Sequence, residues 1–463
     1  MAEATPIAGA PEVVTPEARR AFWGAFLGFF VDFYDIYLPT VALTPAIIYF
    51  FPKNLPVQTV ATLNLFVFAV TLIGRPIGSI IFGHFGDVIG RRRTTMVAIS
   101  GFAVMTFLIA LLPGYATWGY ASIALLIVLR LVDGIFMGGE YTSANPLAIE
   151  AAPKRWRGMV AGFIQSAYPI AYIAISLSVL IVFLWAPAGT LNSPYVQFWW
   201  RIPFVFGAVL GALMLIYFAR VPESKLWETQ AKDKVKAPLL DLFRGRNFLN
   251  LAQVFLMMSG LWFAVQISIS TTPTLLQTVL KQPPRGVTYG LFVANVFLAA
   301  SYYLTAWLGQ RFGRRPVLII TGAIVAVAGT IGYWLMLANA SAKGPLVLTM
   351  AIYVVVLCLT ISPWGIVTAY INERFPTRVR SSGYGIGYSL AVIIPSFASF
   401  YFLGLTKLGI PYVYTPLVLM ALAGVLQVIG AWLGPETRDV DLHRVEEEQE
   451  TAKAPAGEPA PAS

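Results

Sequence analysis

The sequence predicts an all-α membrane protein whose twelve transmembrane helices form two six-helix bundles. Composition is the first reason. Of 463 residues, 57% are hydrophobic and only 12% are charged, and the mean hydropathy is +0.71. A soluble domain carries about 25% charged residues. The second reason is a recurring run length. A spanning helix needs about 20 mostly apolar residues, and twelve such runs occur, at about 22–50, 58–82, 94–112, 119–146, 158–186, 197–219, 249–276, 287–308, 317–338, 346–370, 384–406 and 412–433. The third is an internal repeat. GDVIGRRR at 86–93 answers to GQRFGRRP at 309–316, and the segment around Glu150, Pro153 and Arg157 answers to Glu373, Pro376 and Arg380, all at an offset of 223. Two parallel six-helix repeats are a transporter architecture.

The elements follow in order. Residues 1–21 are Ala/Pro/Glu-rich and are expected to form a disordered tail, as is 439–463. Runs one to six make a bundle over 22–219, the polar stretch 220–247 a cytoplasmic linker, and runs seven to twelve a second bundle over 248–438. Charge sets the orientation. With both termini cytoplasmic, 24 of the 32 Lys and Arg fall in cytoplasmic segments. Six fall in outer loops, and Arg75 and Arg130 lie inside runs. This bias places the chain in an inner (plasma) membrane, multi-pass, with both ends inside. The net charge of +10 lies between apolar runs and gives no nucleic-acid surface. The single Cys358 excludes a disulfide framework. His84 and His443, both outside the runs, leave no metal site, and no cofactor is expected. No cleavable signal peptide opens the chain. No nucleophile–base constellation suggests an enzyme.

Within the runs, charge is the informative signal. Run one carries Asp32 and Asp35 in FFVDFYDIYLPT. A charge at the bilayer centre costs at least about 2.5–3.5 kcal/mol, so both acids must face the protein interior or water. At i, i+3 they share a helix face. Pro39 lacks an N–H and frees the carbonyl of Asp35, a polar notch tolerated only where it lines a cavity. In run four, Arg130, Asp133, Met137, Glu140 and Tyr141 fall within an arc of roughly 100°, so one cation and two acids point the same way. Glu140 follows Gly138 and Gly139, where helices approach closely. Runs seven and ten hold no charge at their centres. They offer Gln266, Ser268, Ser270 and Thr271, then Thr360, Ser362, Trp364 and Tyr370, and Pro273 and Pro363 break them.

Short motifs sit at fixed places on this frame. G-x-x-x-D-x-x-G-R-R spans Gly83 to Arg92, R-x-x-x-G spans Arg130 to Gly134, and PES and PET close runs six and twelve. Together they resemble the major facilitator superfamily over nearly the whole chain. VDFYDIYL in run one, GGEYTSANPLAIE at 138–150 and ERFPTRVRSSGYGIGYS at 373–389 are most similar to its metabolite:H+ and organic-acid:H+ symporters. The resemblance implies a monomeric, proton-coupled symporter of a small organic anion, a monocarboxylate before a dicarboxylate, that works by alternating access. Runs one, four, seven and ten would line its cavity. Asp32, Asp35, Asp133 and Glu140 are the candidates for proton coupling. Arg130, Tyr34, Tyr141, Asn145, Gln266, Ser270, Trp364 and Tyr370 are those for substrate. Asp87, Arg91, Arg92, Glu150, Arg157, Glu223, Arg314, Arg315, Glu373, Arg380 and Glu436 belong to loop motifs expected to hold the cytoplasmic gate by ion pairs. Gln310 stands where the first repeat has Asp87, so the charge latch of the second loop is expected to be weaker or absent. A structural Asp35–Arg130 ion pair is the plainer reading of those charges. A carrier of phosphate, sugar or an aromatic compound, an exporter and a non-transporting receptor stay open as alternatives.

Overall fold

The computed structural model describes residues 14–89, 91–139, 141–219 and 242–440. Among these, twelve helices are long and apolar enough to cross a membrane: α1 (Ala18–Phe50), α2 (Val57–Phe82), α3 (Arg93–Ala110), α4 (Tyr120–Met137), α5 (Lys154–Trp185), α6 (Tyr195–Tyr217), α7 (Gly245–Val279), α8 (Pro284–Phe312), α9 (Arg314–Ser341), α10 (Leu346–Arg374), α11 (Ser382–Lys407) and α12 (Tyr412–Leu433). An even number of crossings puts both ends of the described chain on one side, here called the motif end. The opposite side is the far end. Helix dominates because lipid offers no partner for a backbone N–H or C=O, so each span must satisfy its own.

Helix starts depend on caps that hydropathy does not register. The first helix begins at Pro16, six residues ahead of the expected start, because the Thr15 hydroxyl accepts from the Ala18 N–H at 3.1 Å and Pro16 occupies the first turn. α7 begins at Gly245, inside the stretch expected to be linker, without a side-chain cap. α1 and α7 lose regularity at matching places. Past Leu38, α1 continues as a π turn over Pro39–Leu43 and a 3-10 turn over Thr44–Phe50. α7 has π turns at Gln266–Thr271 and Leu275–Val279 flanking Pro273. Hydroxyls serve the loosened backbone: Thr44 donates to the Pro39 carbonyl at 3.0 Å, and Thr271 to that of Gln266 at 2.7 Å.

α2 and α4 cross at backbone contact. Gly74 and Gly78 on α2 face the α4 backbone from Leu131 to Ile135. Gly134, and Gly138 just past the end of α4, face Thr71, Arg75 and Ser79. These are two reciprocal G-x-x-x-G pairs, the small-residue spacing that brings membrane helices together. Spans one to six meet spans seven to twelve along α5 against α8 and α10, and along α2 against α7 and α11.

Candidate transport site

Five charged side chains lie at membrane depth among α1, α2 and α4: Asp32, Asp35, Arg75, Arg130 and Asp133, none more than 2% exposed. They form two units. In the first, Arg75 Nη2 donates to Asp32 Oδ2 at 2.7 Å. In the second, Arg130 Nη1 donates to Asp133 Oδ2 at 2.9 Å and lies 3.5 Å from Asp35 Oδ2. Its Nη2 donates to the carbonyls of Asp35 and Ile36 at 3.3 and 3.2 Å. The first of these is the carbonyl that Pro39 leaves without an N–H, so a guanidinium fills the notch. Thr106 of α3 donates to Asp35 Oδ1 at 2.7 Å. Asp32 and Asp35 sit roughly 60° apart around α1, at about 100° per residue. That offset sends one to α2 and the other to α3 and α4.

The units differ in charge balance. Asp32 and Arg75 cancel. Asp35 and Asp133 share one arginine, so the second unit is neutral only when one carboxyl carries a proton. A surplus buried charge costs several kcal/mol even after relaxation, and a single proton removes it.

A cavity lies where the two sets of helices meet. Its walls are Phe33 and Tyr37 (α1), Gln165 and Tyr168 (α5), Trp262, Val265 and Ile269 (α7), Tyr302 (α8), Ile361 and Trp364 (α10) and Tyr388 (α11). Seven of these eleven residues are aromatic and none is charged. The Trp262 and Trp364 rings meet edge-on with centroids 4.8 Å apart. In this closed state the walls leave room for about one water molecule. Tyr168 Oη and Trp364 Nε1 are buried in it without hydrogen-bond partners.

Both ends of the cavity are shut. At the far end, Asn64 Nδ2 (α2) lies 3.0 Å from Thr44 Oγ1 (α1) and 2.9 Å from Thr274 Oγ1 (α7). Towards the motif end, Asn145 Nδ2 donates to Tyr384 Oη at 3.0 Å, Tyr384 lies 3.3 Å from the Thr368 hydroxyl, and Gln165 Nε2 donates to that hydroxyl at 2.8 Å. This chain crosses between the halves twice. Beyond it, Glu373 lies 3.2 Å from Arg314 and 3.6 Å from Arg157, and accepts from the Thr437 hydroxyl at 2.6 Å. Arg380 pairs with Glu150. The Glu436 carboxylate accepts from the backbone N–H groups of Arg314 and Arg315 at 2.8 and 3.1 Å. Gln310 brings no carboxylate to the second loop, yet its neutral amide holds the loop by hydrogen bonds. Its Oε1 accepts from the Gly158 N–H across the halves and from Arg314 Nη2, both at 3.0 Å. An amide supplies the acceptor that both donors need.

Glu373→Gln is expected to loosen this end, because it removes the charge that holds Arg157 of the first half to the second. Electron–electron distance measurements between spin labels replacing Lys154 and Arg311 should gain a longer component, several-fold more populated than in the wild type. An unchanged distribution counts against the lock.

This arrangement has known counterparts. The profile of the Major Facilitator Superfamily matches residues 25–399. The chain belongs to this superfamily. It is 30% identical over 433 residues to the inner membrane metabolite transport protein YhjE of Escherichia coli, covering 92% of this chain and 96% of the relative. It is 29% identical over 396 residues to the shikimate transporter of the same organism, covering 81% and 85%. The fold matches a partially occluded, inward-open structure of the xylose transporter XylE from E. coli, with a TM-score of 0.67 at 20% identity over 92% of this chain and 100% of that one. As a superfamily member the chain is a twelve-span membrane transporter of small-molecule metabolites and not an enzyme.

The structure distributes the predicted substrate residues over several places. Trp364 lines the cavity. Gln266 and Ser270 line a second pocket with Ser396 and Ser399. Asn145 belongs to the hydrogen-bond chain below the cavity. Tyr34 turns to Ser178 and the Pro203 carbonyl, at 3.4 and 3.3 Å. Tyr370 meets Gln253 at 3.1 Å. Tyr141 lies under the Arg75 guanidinium, 4.5 Å from its ring centre. α4 contributes nothing to the cavity wall, contrary to expectation, because its buried face is taken up by the ion unit and by backbone contact with α2. α5, α8 and α11 supply wall residues instead. Glu140, Glu223 and the side chains of Asp87, Arg91 and Arg92 lie outside the described residues. Arg75 is the charged residue that sequence reasoning left without a role. Its signal was there, as a lone cation inside the second apolar run.

Proposed function

We propose that this transporter is a proton-coupled symporter of a small organic anion, a monocarboxylate, working by alternating access in the inner (plasma) membrane with both termini cytoplasmic. The observation that carries the reading is the pair of carboxylates, Asp35 and Asp133, on one guanidinium. With all five groups ionised the cluster holds one net negative charge. A second anion brought to within roughly 6–8 Å meets a repulsion of about 2–3 kcal/mol at an effective dielectric near 20. A proton on the Asp35–Asp133 pair removes it. Proton and anion therefore favour each other's binding, which is the coupling that symport needs. The charge bias of the loops supports the orientation, and a relative named for shikimate, a carboxylic acid, supports the substrate class. Both ends being closed over a small cavity fits the state between inward and outward access.

The uncharged, ring-lined cavity favours one second reading, a neutral aromatic or sugar-like substrate. Uptake into proteoliposomes separates the two. An acid exterior should drive accumulation of the right monocarboxylate by about tenfold per pH unit for one proton per anion, since one unit is about 1.4 kcal/mol. Accumulation that ignores an imposed pH gradient removes the symport reading. Flux of neutral compounds alone removes the anion.

A further inference from the structure

We propose that Arg75, rather than Arg130, is the cation that receives the substrate's carboxylate. The inference rests on the organic-anion reading above and assigns the charge to one of two buried arginines.

The two guanidiniums are used differently. Arg130 commits both terminal nitrogens, Nη1 to Asp133 and Asp35 and Nη2 to two backbone carbonyls, and leaves only Nε without a partner. It is built into the joint between α1 and α4. Arg75 makes one bond, from Nη2 to Asp32, and its Nε and Nη1 are buried with no hydrogen-bond partner. A guanidinium carries five N–H donors, and buried donors are almost always paired. Leaving several of them idle on one charged group is costly unless something arrives to use them. Asp32 Oδ1 is also unpartnered, so the Asp32–Arg75 pair is held by a single contact.

Position favours Arg75 as well. Its guanidinium lies 4.5 Å over the Tyr141 ring. Tyr141 in turn packs 5.6 Å from Tyr388, centroid to centroid, and Tyr388 lines the cavity. One aromatic layer thus separates the idle donors from the space between the halves. That layer joins Tyr141 of the first half to Tyr388 of the second, so rocking the halves apart exposes Arg75. Charge bookkeeping agrees: the Asp32–Arg75 unit starts neutral and takes the anion, while the Asp35–Asp133 unit starts negative and takes the proton. Each ligand has its own arginine.

The test uses the full-length protein in proteoliposomes and a panel of monocarboxylates, lactate, benzoate and shikimate among them, each beside its amide. The wild type is expected to prefer the best acid over its amide by about tenfold or more, the discrimination a charge-assisted hydrogen bond gives. Arg75→Gln should abolish that preference through KM while leaving amide affinity within about twofold. Because Arg75→Gln strands Asp32, the charge-balanced Arg75→Gln/Asp32→Asn variant is measured beside it and should behave alike. Arg130→Gln/Asp35→Asn/Asp133→Asn, which leaves the second unit without any charge, should keep the preference and lose the pH response. An Arg75→Gln/Asp32→Asn protein that still discriminates as the wild type does, or an Arg130 variant that alone loses discrimination, overturns the assignment. A wild type that carries none of the acids overturns the organic-anion reading instead.

Discussion

Asp133→Asn is expected to abolish proton-driven accumulation while leaving substrate exchange across the membrane. Asn has the shape of a protonated aspartic acid, so the variant holds the second ion unit in its neutral form. Arg130 then pairs with Asp35 alone, and no surplus charge waits for a proton. In proteoliposomes, uptake under an imposed pH gradient should fall from about tenfold accumulation per pH unit to simple equilibration. Counterflow against preloaded substrate, which needs no proton release, should persist. Asp35→Asn should act alike, but Thr106 and Arg130 both engage Asp35, so a loss of rate is expected as well. Full accumulation in both variants would move the proton site away from this pair.

Gly134→Val is expected to be strongly destabilising. A Cβ at Gly134 would overlap the backbone of Thr71, and Gly78 faces α4 just as closely. Backbone cannot step aside as a side chain can, so α2 and α4 must separate. Overpacking of this kind costs about 1–3 kcal/mol and sometimes more. Asp133 is the adjacent residue and Arg130 lies one turn away, so transport should fall with stability. Gly24→Ala is the control. No atom comes within 4 Å of a Cβ there, and the change should be neutral or stabilising by up to about 1 kcal/mol. Thermal unfolding in detergent reads both. Equal midpoints for Gly134→Val and Gly24→Ala would contradict the close crossing.

The fold was largely legible because lipid imposes one rule on every span. Twelve apolar runs became twelve helices, and disagreements arose only where local chemistry outranks hydropathy, as at the Thr15 cap. The site was legible in part. A carboxylate in an apolar run is conspicuous, so Asp32, Asp35 and Asp133 stood out, and the unpaired Asp35 carbonyl followed from Pro39. Which helix each acid faces did not follow. Periodicity places a residue on a face of its own helix and says nothing of the neighbour opposite. Hence Arg75 went unassigned, and α4 was expected at a cavity wall it does not reach. Tyr168, Trp262, Tyr302 and Tyr388 were hidden for another reason. In apolar runs an aromatic side chain that walls a cavity looks the same as one that packs a core or sits at an interface.

The ion cluster described among α1, α2 and α4, three acids against two arginines, has an electrical consequence. In the proposed cycle this cluster holds one negative charge when the carrier returns empty and unprotonated, and the same when it crosses with one anion and one proton. Neither crossing moves net charge relative to the other, so membrane voltage does no work on the cycle. Dissipating the potential with valinomycin and potassium should therefore leave uptake at fixed pH difference unchanged.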